Sequence, residues 1–257
     1  MNTPYFRELG TGIPVLLLHG FPFTHQIWDS FAQKLSQNFH VITPDLPGFG
    51  KSPLPVDRLS IDLVAEILIG WLREKKVSDA VVIGHSLGGY VTLAMAKKAP
   101  EVFAAIGLFH STAFADSAEK KESRNKVIEF INKNGVERFT SNFISPLFAD
   151  QNHNAIKTIQ AIAIQASEHS VKAYTLAMRD RADLTSVLSE FKKPVIFIAG
   201  EKDGGIPLDA IRKQALLSSE AEVHVLPDVA HMGMVEREDQ TIDILRRFIK
   251  KNGVTSK

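Results

Sequence analysis

Six short runs of β-branched and leucine-rich sequence, alternating with segments of helical period, constrain this chain more than any other feature. The runs are Ile13 to Leu18, Phe39 to Pro44, Ala80 to Ile83, Val102 to Phe109, Pro194 to Ala199 and Val223 to Leu226. Strands that alternate with helices predict an α/β fold, with a mostly parallel central sheet flanked by helices. Runs apolar on both faces suit strands covered on both sides. Between them, Ile61, Val64, Ala65, Leu68 and Leu72 recur at helical spacing behind Ser60, which is placed as an N-cap. Leu87 to Lys97 is apolar nearly all round, as a buried helix should be, and Ile242, Leu245 and Ile249 mark a final amphipathic helix.

The alternation fails between Ala113 and Glu190, where no strand run occurs. Helical segments are expected there over Ala118 to Asn132, Val136 to Phe143, Asn154 to Ala166 and Val171 to Met178, punctuated by Gly135 and Pro146. An all-helical insertion in an alternating chain reads as a cap. The expected organisation is therefore a core of residues 1–112 and 191–257, with residues 113–190 as the cap. The tail after Asn252 is expected to fray.

Composition excludes several function classes. Thirty Lys and Arg stand against 29 Asp and Glu in 257 residues, with no long single-sign run, which argues against a nucleic-acid partner. The absence of cysteine removes disulfides, thiolate metal sites and a cysteine nucleophile together. No stretch approaches a membrane span and the first residues lack a secretory pattern, so a cytoplasmic protein is expected, acting on a small molecule as a monomer or homodimer.

Gly84-His85-Ser86-Leu87-Gly88 fits G-x-S-x-G, in which a serine sits on a sharp strand-to-helix turn. The pattern is weak alone, but here a strand run precedes it and a helix follows it. A serine hydroxyl needs a base to take its proton and a carboxylate to orient that base, in the chain order Ser, Asp or Glu, His. Asp203, after the Pro194 to Ala199 run, and His231, after the Val223 to Leu226 run, meet that order at strand ends, where open α/β sheets gather their active residues. Glu201, Asp228 and Asp116 are the rival acids. Asp228 lies only three residues before His231, too near to reach its far side comfortably, and Asp116 lies beyond the end of its strand. Oxyanion donors are expected from the backbone N–H of Leu87, after the serine, and of Phe21, in His19-Gly20-Phe21-Pro22. The nine histidines are scattered without ligand spacing, so no metal or organic cofactor is implied.

These motifs, with Asp45-Leu46-Pro47-Gly48-Phe49-Gly50-Lys51-Ser52, make the chain resemble the α/β-hydrolase superfamily over nearly its whole length. The resemblance implies an eight-stranded sheet with a cap after the sixth strand, the first strand here being shortened or missing because little precedes Tyr5. Superfamily dehalogenases and epoxide hydrolases carry an aspartate where this chain has Ser86. Carbon–carbon hydrolases look for a tryptophan where Met232-Gly233-Met234 follows the histidine. Esterases, lactonases, thioesterases and amidases remain, the expected substrate being small and uncharged or apolar. A cofactor-free lyase, a perhydrolase, a carbon–carbon hydrolase and a non-catalytic binding protein are the alternatives. The cap is expected to present Phe139, Phe143, Leu147, Phe148, Ile162, Leu176 and Met178 inward, with Phe21, Tyr90 and Ile206 flanking the site from below.

Overall fold

The computed structural model describes residues 3–56 and 58–253, so most of the expected frayed tail lies outside the described residues. Seven strands form one sheet: β1 (Phe6–Leu9), β2 (Pro14–Leu18), β3 (His40–Pro44), β4 (Ala80–His85), β5 (Phe103–Phe109), β6 (Val195–Gly200) and β7 (Ala221–Leu226). Their spatial order is β1-β3-β2-β4-β5-β6-β7, with β1 antiparallel to β3 and every other pair parallel. All six strand runs read from the sequence become strands. The four residues of β1, Phe-Arg-Glu-Leu, carry no apolar run and were not legible.

Successive side chains of a strand point to opposite faces, and here both faces are buried. Leu16, Leu18, Val82, Ile106 and Phe197 join a core under α2 (Ile61–Glu74) and α3 (Leu87–Lys98). Val15, Leu17, Val81, Ile83 and Ile198 join a second core with Phe31 and Leu35 of α1 (Asp29–Leu35) and with Leu245 and Phe248 of a helix at Glu238–Asn252. Each fully buried Leu or Phe contributes about 1.5–3 kcal/mol. The edge strand β7 departs from the double-sided expectation: Val223 and Val225, which share one face, are exposed. Ser60 caps α2 as its position implied, its Oγ accepting from the Leu63 N–H at 3.1 Å.

The helical stretch lies between β5 and β6. Because seven strands are described, it follows the fifth of them; the position after a sixth strand belongs to the eight-strand count of the superfamily. Its helices are Ala118–Ile144, broken at Gly135 (φ 80°, ψ 164°), then Ile156–Ala163, Glu168–Asp180 and Thr185–Glu190. Tyr174 Oη donates to the Pro47 carbonyl at 2.8 Å, and Ser170 Oγ donates to that of Gly48 at 2.6 Å. The helices are thereby tied to the Asp45 to Ser52 loop. Asp45 organises that loop from within, its buried carboxylate accepting from the His25 N–H, the His25 ring and the Lys51 N–H.

Candidate active site

Ser86 sits between β4 and α3 with φ 51° and ψ −113°, a left-handed conformation that a non-glycine residue adopts at a cost of about 1–3 kcal/mol. The turn is possible because its neighbours are small. A Cβ at Gly88 would lie 2.4 Å from the Leu18 carbonyl oxygen, and one at Gly20 would lie 3.3 Å from the Ser86 Cβ. The loop after β2 therefore closes directly over the serine. Leu87, the first residue of α3, has no carbonyl four residues back within its helix to receive its N–H.

His231 lies in the loop after β7 and is held by its backbone and by its ring. Its N–H donates to the Leu147 carbonyl at 2.9 Å, and its own carbonyl lies 2.9 Å from His85 Nε2. Its Nδ1 is 2.8 Å from Asp203 Oδ2. Glu236 shapes the same loop, accepting from the N–H groups of Ala230 and Met232 on one oxygen and of Ala149 on the other.

Asp203 follows β6 and is almost fully enclosed. Its Oδ1 accepts from the N–H groups of Gly205 at 2.8 Å and Ile206 at 3.0 Å. Burial works against its ionisation, yet His231 and His110 on its other oxygen outweigh burial and hold the carboxyl well below the usual range. The rivals are elsewhere. Asp228 is exposed and pairs with Lys202, and half-buried Asp116 pairs with Arg124 and Arg181.

His19 supports the loop that carries Phe21. Its Nε2 accepts from the Leu46 N–H at 2.9 Å and its Nδ1 lies 2.9 Å from the Gly20 carbonyl, so the proton resides on Nδ1. Burial lowers its pKa to about 4.

A cavity of about 450 Å³ opens onto Ser86, Asp203 and His231. Phe21, Tyr90, Phe143, Leu147, Met178 and Ile206 line it, so all four pocket residues expected from the sequence, Tyr90, Phe143, Met178 and Ile206, are brought together there. Phe143 packs on Phe21 and Phe139, with ring centroids 5.9 and 5.2 Å away. Four of the seven expected inward residues do not line it, and of these Phe139 packs against Phe21 and Phe143. Phe148 stacks on His153 and Ile162 joins the second core, whereas Leu176 is partly exposed on a separate surface cleft with Arg58 and Arg179. Leu176 shares the helix of Met178, but its direction places it on the opposite side.

Lys120 and Arg124 also line the cavity, and sequence reasoning missed both. They stand in a long, highly charged helix start, where nothing separates a cavity-facing cation from solvated ones. His110 was missed as well. Its Nδ1 lies 3.3 Å from Asp203 Oδ2, and donor atoms of His110, Asp203 and His231 fall within 4.8 Å of one another. That is the one cluster of possible metal-ligand atoms among the described residues. The 2.8 Å spacing of His231 suits an N–H···O contact to a carboxylate, and the 3.3 Å of His110 is a longer approach to the same oxygen.

A mostly parallel α/β sheet with a serine elbow after its central strand, and a buried His–Asp pair at neighbouring strand ends, is the arrangement of an α/β-hydrolase fold. The sequence profile of the alpha/beta hydrolase family matches residues 15–244, and the chain belongs to that family. A solved thermophilic esterase from Thermogutta terrifontis is similar at 30% identity and a TM-score of 0.91, over 97% of this chain and 94% of that one. The dihydrolipoyllysine-residue acetyltransferase component of an acetoin cleaving system from Pseudomonas putida is 30% identical over 95% of this chain. This chain spans 66% of that protein. A pimeloyl-[acyl-carrier protein] methyl ester esterase from Methylococcus capsulatus is 28% identical, over 95% of this chain and 98% of the relative. The protein is a hydrolase of the α/β family. Among the described residues no helix is long and apolar enough to cross a membrane.

Proposed function

We propose that this protein is a serine esterase, with Ser86 as nucleophile, His231 as general base and Asp203 as the carboxylate that orients the base. The observation that carries the reading is the cavity: Ser86, strained into the turn, and His231, bonded to Asp203 at 2.8 Å, line one space. His231 Nε2 takes the Ser86 proton as Oγ attacks the ester carbonyl, and the imidazolium that forms is stabilised by Asp203. The N–H groups of Phe21 and Leu87 receive the oxyanion. Collapse of the tetrahedral intermediate expels the alcohol, which takes the proton from His231. Water, deprotonated by His231, then releases the acid and restores Ser86.

Residues 113–190 act in this reading as a cap that selects substrate. The apolar wall of Tyr90, Phe143, Met178 and Ile206 suits an uncharged, apolar acyl group of small or medium size against it, because a charge set on that wall, away from Lys120 and Arg124, would be costly. The name of the Thermogutta relative, an esterase, agrees with ester chemistry.

The test is labelling with a fluorophosphonate probe, with mass analysis of the modified peptide and turnover of p-nitrophenyl esters. Modification of Ser86, lost in Ser86→Ala along with turnover, is the expected result. Modification elsewhere, or undiminished turnover by Ser86→Ala, overturns the reading.

A further inference from the structure

Among the buried rings that take no part in the proposed reaction, His110 reaches its acid. His110 follows β5, adopts φ 50°, and is completely buried. Its Nδ1 lies 3.3 Å from Asp203 Oδ2, the same oxygen that His231 Nδ1 approaches at 2.8 Å, and 3.2 Å from the Gly200 N. Its Nε2 lies 3.1 Å from the N–H of Gly233, two residues beyond His231. Gly233 is held close: a Cβ there would come within 2.5 Å of His110 Nε2. The ring stacks on Phe109 with centroids 5.0 Å apart, and those of His231 and His85 stand 5.6 and 6.1 Å away. The titratable and charged groups facing it are therefore Asp203 from the loop after β6, His231 from the loop after β7 and His85 from the end of β4.

The protonation state follows from these neighbours. A backbone N–H can only donate, so Nε2 must be bare. An ionised carboxylate can only accept, which favours the proton on Nδ1. A neutral Nδ1–H imidazole meets both demands. The Gly200 N–H, 3.2 Å from the same Nδ1, competes for that nitrogen. The opposite tautomer would satisfy Gly200 but would set a lone pair against the carboxylate and an N–H against the Gly233 N–H. Burial, the largest influence on this ring, lowers its pKa, in keeping with the neutral form.

We propose that His110 is a positioning residue, which donates from Nδ1 to Asp203 Oδ2 and accepts the Gly233 N–H at Nε2, so that one ring fixes the acid and the His231 loop relative to each other. The role rests on the reading of Ser86, His231 and Asp203 as the reacting set. Losing the donor would let the carboxylate rotate and would concentrate its charge on His231, making the imidazolium easier to form.

The test compares wild type, His110→Phe and His110→Asn. Phenylalanine keeps a ring without donor or acceptor. Asparagine tolerates a left-handed backbone and can present an N–H near the position of Nδ1. The expected result for His110→Phe is a roughly 10- to 100-fold loss in kcat with KM little changed, the scale seen when a supporting hydrogen bond to a functional ligand is removed. The acidic limb of its kcat/KM profile, which reports protonation of the base, should move to higher pH. His110→Asn should recover most of kcat and return the limb toward wild type. A folded His110→Phe with unchanged kcat and an unmoved limb overturns the proposal, as does a loss that asparagine repairs no better than phenylalanine. Long-range ¹H–¹⁵N spectra of the wild-type protein need no variant to fold: an Nδ1–H tautomer at His110 is expected, and an Nε2–H tautomer refutes the clamp. Failure of the esterase reading looks different, since wild type would then lack Ser86-dependent turnover altogether.

Discussion

Replacing Asp203 by asparagine changes one oxygen into an amide nitrogen at constant size, so its effect can be worked from the four contacts around that carboxylate. Two backbone N–H groups reach Oδ1 and two imidazole nitrogens reach Oδ2. An asparagine oxygen turned to Gly205 and Ile206 presents its NH2 to His231 Nδ1, which must then be bare, placing the proton on Nε2 and disabling it as a base. Turned the other way, the NH2 meets two backbone donors, a clash of like groups in a buried site. Either orientation removes the charge that stabilises the imidazolium. The expected loss in kcat is about 10⁴-fold, or about 5.5 kcal/mol in the barrier, the scale of a tautomer error in a serine triad. Asp228→Asn, at an exposed group paired with Lys202, should stay within about twofold, as exposed ion pairs contribute little. Steady-state hydrolysis of p-nitrophenyl butyrate, with circular dichroism to confirm folding, measures both. A folded Asp203→Asn that keeps a tenth of wild-type activity, or an Asp228→Asn that loses as much, refutes the reasoning.

Ser86→Ala should lose at least about 10⁴-fold in ester turnover at unchanged fold, and Ser86→Gly should also raise the urea midpoint, by an amount equivalent to about 1 kcal/mol in unfolding free energy, because glycine relieves the left-handed strain. An unchanged or lower midpoint in the glycine variant would deny that the turn stores strain. Phe143→Ala and Met178→Ala should shift the preferred acyl length upward in a C2 to C10 ester series; a flat, unshifted profile would reduce the cap to packing. For His19 the folded pKa of about 4 lies below the ordinary 6.5, so its stabilising effect is complete above pH 6.5 and fades as pH falls toward 4. The unfolded chain takes the proton first, which amounts to a loss of about 2 kcal/mol between pH 7 and pH 5. Urea titrations at both values should show a smaller decrease in His19→Asn than in wild type, and equal decreases would remove His19 as the cause.

Strand runs, the Ser60 cap, the elbow at Ser86 and the order of Ser86, Asp203 and His231 were all legible in the sequence, because each is written in residues that are neighbours along the chain. Hydrophobic period and turn chemistry are local physics, and strand ends follow from them. The strand Phe6–Leu9 was not legible, since half-buried edge residues need no apolar run. Only the tertiary structure decided that Leu176 faces away while Met178, two residues on, lines the cavity, for a helix turns through much of a circle over that distance. Only it placed Lys120 and Arg124 at the cavity and His110 against Asp203, a partner 93 residues away. Such contacts depend on the parallel register of β5 and β6 and on how the inserted helices lie over the sheet, and no local pattern encodes either.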